Sequence, residues 1–243
     1  FALDRKVEPS GDAGVIPIRA DLTDAASVAS AVAAVRAVTD RLLAIVHFAG
    51  IYMLDSLIEI EPARFEESFR INLGGAFTVN RLFFPLLGRG SRILITTSEL
   101  APLDPLRFTG LYGVTKCALD RYAFALGMEL QLLGISVSVL RAGAVSTGML
   151  GASTDALTAF CEKTALYRCN AARFRRIVDS VEAKSVPPER IAKKVLRILG
   201  AKRPAFAYAI NRNPLLRLLN LLPKRMQLWA IRLVLREKAD KHG

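Results

Sequence analysis

Acidic residues are in short supply in this chain. Its 243 residues carry 22 Asp and Glu against 34 Lys and Arg, a formal net charge of +12. The excess is spread out, with a denser zone from Arg168 onward, and no aromatic residues are interleaved with it as a base-stacking platform. That pattern argues against nucleic acid as a partner and for an anionic cofactor or an anionic lipid surface. Cysteine is also sparse. Cys117, Cys161 and Cys169 are odd in number and fit no metal-ligand spacing, so neither a disulfide framework nor a metal site is expected. A reducing, cytoplasmic setting is the expectation, with a membrane-peripheral one as its variant. No run of about 18 apolar residues is free of charge, which leaves no candidate transmembrane span. Asp4, Arg5, Lys6 and Glu8 interrupt the start too early for a signal peptide. Repeats, low-complexity tracts and Pro/Gly/Ser-rich linkers are missing too, so one domain over residues 1–243 is expected.

Apolar residues are plentiful, at 52%. They fall in short runs that alternate with longer helical patterns. Val15 to Ile18, Leu42 to Phe48, Arg92 to Thr97, Ile135 to Leu140 and Ala205 to Ile210 read as strands. Ala25 to Val38, Pro62 to about Leu87, Leu111 to Leu133 and Pro187 to Leu199 read as helices, with Gly88, Gly134 and Gly200 as stops. Such alternation predicts an α/β fold, a parallel sheet with helices on both faces. Ligands of such sheets lie beyond the carboxyl ends of the strands. Residues 147–186 show no strand and are long for a connection, which predicts a lid over the substrate. Met149, Leu150, Leu157, Phe160, Leu166 and Tyr167 make that lid apolar. Residues 213–238 read as two short amphipathic helices with a basic rim. Either they pack on the chain's own core or on a partner subunit, or they anchor it at an anionic membrane surface.

Polar residues gather at the predicted strand ends. Tyr112 and Lys116 are four apart in a helical segment, so they share a face. A free tyrosine titrates near pH ~10, and a neighbouring ammonium favours its phenolate, which predicts a lowered pKa and a general acid/base. Ser98 follows a strand directly, fourteen positions before Tyr112. Asn72 sits inside a helical pattern, and Gly143 and Thr147 follow the strand that ends at Leu140. His47 reads as a satisfied strand-end histidine, and Glu99 is given no role.

On these motifs the chain resembles the short-chain dehydrogenase/reductase family over essentially its whole length. His47-Phe48-Ala49-Gly50 stands where the family has its Asn-Asn-Ala-Gly strand end. Asn72, Ser98, Tyr112 and Lys116 fall on the family's catalytic positions. Ala142-Gly143 with Thr147 falls on the Pro-Gly-x-x-x-Thr segment that meets the nicotinamide carboxamide, with Val145 between. Asp21 and Leu22 fall beside the adenine, and Asp4 on the acid that closes the second strand. The resemblance implies a Rossmann-type, doubly wound fold. It also implies that Ser98 holds the substrate oxygen, Tyr112 moves its proton, Lys116 binds the nicotinamide ribose, and Asn72 holds a water linking Lys116 to solvent. Cofactor contacts are then expected at Asp4, Asp21, Leu22, Ala49, Gly50, Tyr112, Lys116, Gly143, Val145 and Thr147.

Three departures stand out. The family's glycine-rich phosphate turn and the strand before it are absent, and the resemblance implies that about 30 residues precede Phe1. Ala142 replaces a proline, and His47-Phe48 replaces two asparagines. Asp4 favours NAD over NADP, with Arg5 and Lys6 pulling the other way. The expected reaction interconverts a secondary alcohol and a ketone. The apolar lid and tail, similar to the steroid and retinol dehydrogenase branch, suggest a hydrophobic steroid, retinoid or fatty-acyl substrate. The alternatives are a small polar hydroxy compound, or a non-catalytic nucleotide-binding sensor or scaffold. A homodimer or homotetramer built on the helices holding Asn72 and Tyr112 is the implied assembly.

Overall fold

Two parallel strand groups form where apolar runs lie between turn residues. A computed structural model describes residues 1–7, 11–104, 106–182 and 184–235, with backbone only for 149–153, 169, 172 and 179–182. Strand β1 (Ala2–Asp4) pairs with β2 (Pro17–Arg19), Leu3 opposite Ile18. Helix α1 (Ala25–Arg36) follows, capped by Asp24, whose carboxylate accepts from Ala26 N at 2.9 Å. Strand β3 (Ala44–His47) opens a second sheet. The single long helix expected from Pro62 is broken into α2 (Pro62–Phe69), a π-helical turn (Arg70–Gly74) and α3 (Gly75–Phe83). Strand β4 (Arg92–Ser98) leads to α4 (Gly110–Leu130), and Gly134, at φ 73°, turns the chain into β5 (Ser136–Ala142). The span 147–186 is helical: α5 (Gly148–Lys163) and α6 (Arg168–Glu182) form a pair of helices. Helix α7 (Pro188–Leu199), strand β6 (Ala207–Ile210), α8 (Pro214–Leu221) and α9 (Lys224–Leu235) complete the described chain.

The second sheet runs β3-β4-β5-β6, all parallel. Among the described residues no ladder joins it to β1 or β2. The two groups still share a core, since Leu3 and Ile18 pack against the cluster that holds Val28, Val35, Ile93 and Ile95. Successive β4 residues face opposite ways: Ile93 and Ile95 enter that cluster, while Leu94 enters another with Leu140, Ile191 and Val195. A strand buried on both faces must be apolar throughout, which is why these runs do not alternate. Ile191, Val195 and Ile198 give α7 its inner stripe. Arg92 donates to Ile198 O at 2.8 Å and Ala201 O at 2.7 Å, satisfying carbonyls at the negative end of α7.

A third cluster lies outside the sheet. Phe108 packs its ring 4.6 Å from Phe160, 5.2 Å from Tyr167 and 5.4 Å from Phe174. It holds a left-handed backbone at φ 63°, a strain of about 1–3 kcal/mol that this packing must offset. Phe108 O accepts from Asp55 N at 2.9 Å, and four residues later the chain reaches Tyr112. The aromatic wedge therefore sets where α4 begins.

Candidate active site

Four elements converge beyond the carboxyl ends of β3 and β4. Ser98 ends β4 and is buried; its Oγ accepts from Leu100 N at 3.2 Å. Tyr112 and Lys116 lie on the first turns of α4, both buried. Ser98 lies near enough to the Tyr112 hydroxyl to pull the phenol's pKa down. The Lys116 amine stands 5.7 Å from the Tyr112 ring centroid. Of the two threonines before Ser98 on β4, Thr97 faces away and its Oγ1 donates to Asp120 Oδ1 at 3.2 Å, while Thr96 Oγ1 is buried without a partner.

Asn72 sits at the middle of the π-helical turn and is 1% exposed. Its Oδ1 accepts from Ile51 N at 2.8 Å, and its Nδ2 donates to Ile51 O and to Thr115 Oγ1, both at 3.0 Å. These bonds stitch the turn after β3 to the helix that carries Tyr112. The extra residue of a π turn aims the amide inward, where a regular helix would carry it past. A Cβ added to Gly50 would meet Asn72 Oδ1 and Lys116 Nζ at 3.1 Å each, so glycine keeps space open between them.

The electrostatics depart from expectation in one respect. Burial pushes the Tyr112 phenol up to about 12, outweighing the Ser98 hydroxyl that pulls it down. The predicted lowering by Lys116 is overturned because burial also pushes that amine down to about 8. Desolvation disfavours the charged form of both groups. Among the described residues no ion pair or hydrogen bond holds the Lys116 amine, which borders the space kept open by Gly50. An ammonium there suits a ribose diol, and the site fits a nicotinamide dinucleotide.

Other expected contacts lie apart from this group. Gly143 leaves β5 with its N–H donating to Ile210 O at 3.0 Å, and a Cβ there would clash with Asn211 O. Val145 bridges to Val186, tying the two ends of the α5–α6 pair together, and Thr147 is exposed at the start of α5. Asp4 is exposed at the end of β1 and accepts from Lys6 N at 2.9 Å. Asp21 accepts from Thr23 N at 2.8 Å and Thr23 Oγ1 at 2.7 Å, which holds its carboxyl below the usual range. Leu22 packs near Gly75, and Ala49 is exposed. His47 is buried with Nε2 2.8 Å from Asn80 Oδ1, and burial pushes its pKa down. Of the apolar lid residues, Leu157 and Phe160 are buried, Tyr167 packs on Phe108, and Leu166 is 62% exposed. The side chains of Met149 and Leu150 lie outside the described residues.

Two residues at the site have no counterpart in the sequence reading. Tyr52 lies with its ring 4.8 Å from that of Tyr112 and packs against the aromatic cluster. Its signal is its place two residues after the strand-end glycine. Glu59 binds Thr164 Oγ1 at 2.7 Å and the Ala165 and Leu166 amides at 2.9 and 3.2 Å, fastening the connection between α5 and α6.

The arrangement agrees with what the chain resembles among known proteins. A 2,3-dihydro-2,3-dihydroxybenzoate dehydrogenase of Escherichia coli is 32% identical over 134 residues, 53% of this chain and 52% of that one. Mouse estradiol 17-beta-dehydrogenase 2 is 29% identical over 111 residues, 45% of this chain and 29% of that one. This chain thus spans about half the length of the first of these relatives and less of the second. The crystal structure of a dehydrogenase/reductase from Sinorhizobium meliloti superposes with a TM-score of 0.64 at 27% identity, over 80% of this chain and 72% of that one. The family model described as short chain dehydrogenase matches residues 4–158. With Ser98, Tyr112, Lys116 and Asn72 gathered at one rim of a parallel sheet, the chain belongs to the short-chain dehydrogenase family.

Proposed function

We propose that the protein is an NAD(P)-dependent oxidoreductase that interconverts a secondary alcohol and a ketone, with Asn72, Ser98, Tyr112 and Lys116 as its catalytic group. The observation that carries this is the burial of Ser98 and Tyr112 side by side at one rim, near enough for Ser98 to pull the phenol's pKa down, with the Lys116 amine beside the ring. Two hydroxyls so placed can converge on one carbonyl oxygen. The bound dinucleotide supplies the hydride chemistry. Ser98 Oγ holds and polarises the substrate oxygen. Tyr112, a neutral phenol at pH 7 that burial holds further from ionising, donates its proton to that oxygen in reduction and takes it back in oxidation. Lys116 binds the ribose hydroxyls, which supply the acceptors its amine lacks in the protein. Asn72 fixes the turn after β3 against α4, and so fixes the distance between Gly50 and Lys116.

The cofactor is NAD in preference to NADP. Asp4, oriented by the Lys6 amide, would accept from the adenosine ribose and repel a 2′-phosphate. The substrate is hydrophobic, of the steroid, retinoid or fatty-acyl kind. The Tyr52 ring against Tyr112 and the aromatic cluster behind it support this, as does the estradiol-acting relative. Exposed Phe65, Phe77 and Val114 on α2, α3 and α4 support a homodimer or homotetramer built on that face.

NADH formation measured with a panel of alcohols tests the reading, alongside Tyr112→Phe. The substitution is expected to lower turnover by about 10³-fold, with nucleotide binding retained. Unchanged turnover would remove Tyr112 from the chemistry. Tight NAD binding with no turnover on any alcohol would make the protein a nucleotide sensor.

A further inference from the structure

Helix α9 is apolar on two faces. Its inner row, Gln227, Ile231 and Leu235, recurs every four residues and packs beside the aromatic cluster, where Leu235 is 2% exposed. Asn170 Nδ2 on α6 donates to Leu235 O at 2.6 Å and fastens that end. The outer face should then be polar, and it is not. Met226, Trp229 and Leu233 lie on it, 48%, 62% and 38% exposed, and Leu228 and Val234, 69% and 54% exposed, flank the inner row on either side. Helix α8 repeats the pattern: Leu215, Leu218 and Leu221, three residues apart along one edge, are 69%, 61% and 81% exposed. Large apolar side chains gathered on consecutive surface helices mark an interaction surface.

The charge around them selects the occupant. Residues 213–235 contain no Asp or Glu and four basic residues, Arg217, Lys224, Arg225 and Arg232. Lys224 pairs with Asp104, while the three arginines pair with no acid among the described residues. A second copy seated on this face by two-fold symmetry would oppose the same basic rim to itself, which is repulsive. A bilayer with anionic headgroups offers both things the surface lacks, apolar depth for the leucines and Trp229 and negative charge for the arginines. Trp229, with Arg225 and Arg232 on the same helix, is placed as an interfacial anchor. No helix among the described residues is long and apolar enough to cross a membrane, so the contact would be peripheral.

We propose that the outer faces of α8 and α9 dock the protein on an anionic lipid surface. The inference stands apart from the catalytic reading and adds a consequence to it. The inner face of α9 borders the cluster that reaches Tyr52 and, through it, Tyr112. Docking would then bring the side of the molecule that holds this cluster close to any lipophilic substrate dissolved in the bilayer.

The chain has one tryptophan, so Trp229 reports on this face alone. The test mixes the full chain with vesicles of phosphatidylcholine, with and without phosphatidylserine, and reads Trp229 emission together with co-sedimentation. A blue shift and co-sedimentation with phosphatidylserine vesicles, both weakened by added salt, are expected. The double variant Arg225→Gln/Arg232→Gln keeps the fluorophore and should partition roughly 25-fold more weakly, about fivefold per charge, with its circular dichroism unchanged. No shift and no co-sedimentation on phosphatidylserine vesicles would overturn the proposal. So would a blue shift that grows with protein concentration in the absence of vesicles while sedimentation shows a dimer, since the occupant would then be a second copy. Neither outcome depends on alcohol turnover, so the proposal and the catalytic reading fail separately.

Discussion

The first turns of α4 and the outer face of α9 break the same rule in opposite senses. At α4 a phenol and an amine are taken out of water: Tyr112 is 8% exposed and Lys116 3%. At α9 a leucine and an indole are left in it: Leu228 is 69% exposed and Trp229 62%. Ordinary folding energetics favour neither, because buried charge and exposed apolar surface both cost free energy. If both proposals hold, each violation is answered by a ligand: a ribose diol for the Lys116 amine, and a lipid surface for the apolar side chains of α9.

Lys116→Met sharpens the contrast most. Turnover should fall about 10²-fold or more, since the amine would no longer hold the ribose or support Tyr112. Stability should move the other way. The folded-state pKa of about 8 lies below the ordinary 10.5, so the folded protein releases this proton before the unfolded chain does. Below pH 8 the amine is charged in both states, and the cost of burying it, about 3 kcal/mol, is fully present. Stability therefore rises as pH climbs from 8 toward 10. Tyr112, raised to about 12 from 10, takes stability away only above pH 10. Thermal melts between pH 7 and 10 should show the rise in the parent protein and not in the Met variant. Equal slopes would mean that Lys116 is solvated.

A smaller effect is expected from Asn72→Ala. It strands the Ile51 amide and carbonyl that the amide side chain now satisfies, at a cost of about 2 kcal/mol by urea denaturation. A loss below about 1 kcal/mol would show that the π turn holds itself and that the polar burial at this rim is cheaper than argued. Smallest of all is Leu228→Ser. On an exposed face it should change stability by less than about 0.5 kcal/mol and leave turnover of a short alcohol unchanged. A larger loss in urea denaturation would mean that α9 is covered in solution, and the contrast would disappear.

Much of this is legible in the sequence because it depends on short-range spacing. Tyr112 and Lys116 share a helix face by arithmetic, and Ser98 follows an apolar run that can only be a buried strand. The alternation of runs gives the parallel sheet, and α7 is found at its expected residues because Pro188 and Gly200 mark its ends. What depends on distant contacts is not legible. The helix expected from Pro62 to Leu87 hides a π turn, because the turn is held by Asn72 reaching Ile51 across 21 residues. The direction of the Tyr112 shift was missed for a related reason: spacing places the cation, while burial by Tyr52 and the elements around it decides the sign. The span 147–186 reads as a lid without strands, yet its pinning by Glu59 needs a residue about 100 positions upstream.

The link from β4 to α8 has a practical consequence. Glu99, next to Ser98, accepts from Asn213 N at 2.6 Å, and Asn213 in turn caps α8. Burial holds the Glu99 carboxyl above its usual range, and the Asn213 amide is what restrains the rise. Trimming the chain ahead of Asn213 would thus unmoor an acid adjoining Ser98 as well as stripping off the greasy surface. A shortened protein would confound the two proposals, and single replacements on the outer rows are the cleaner way to separate tethering from turnover.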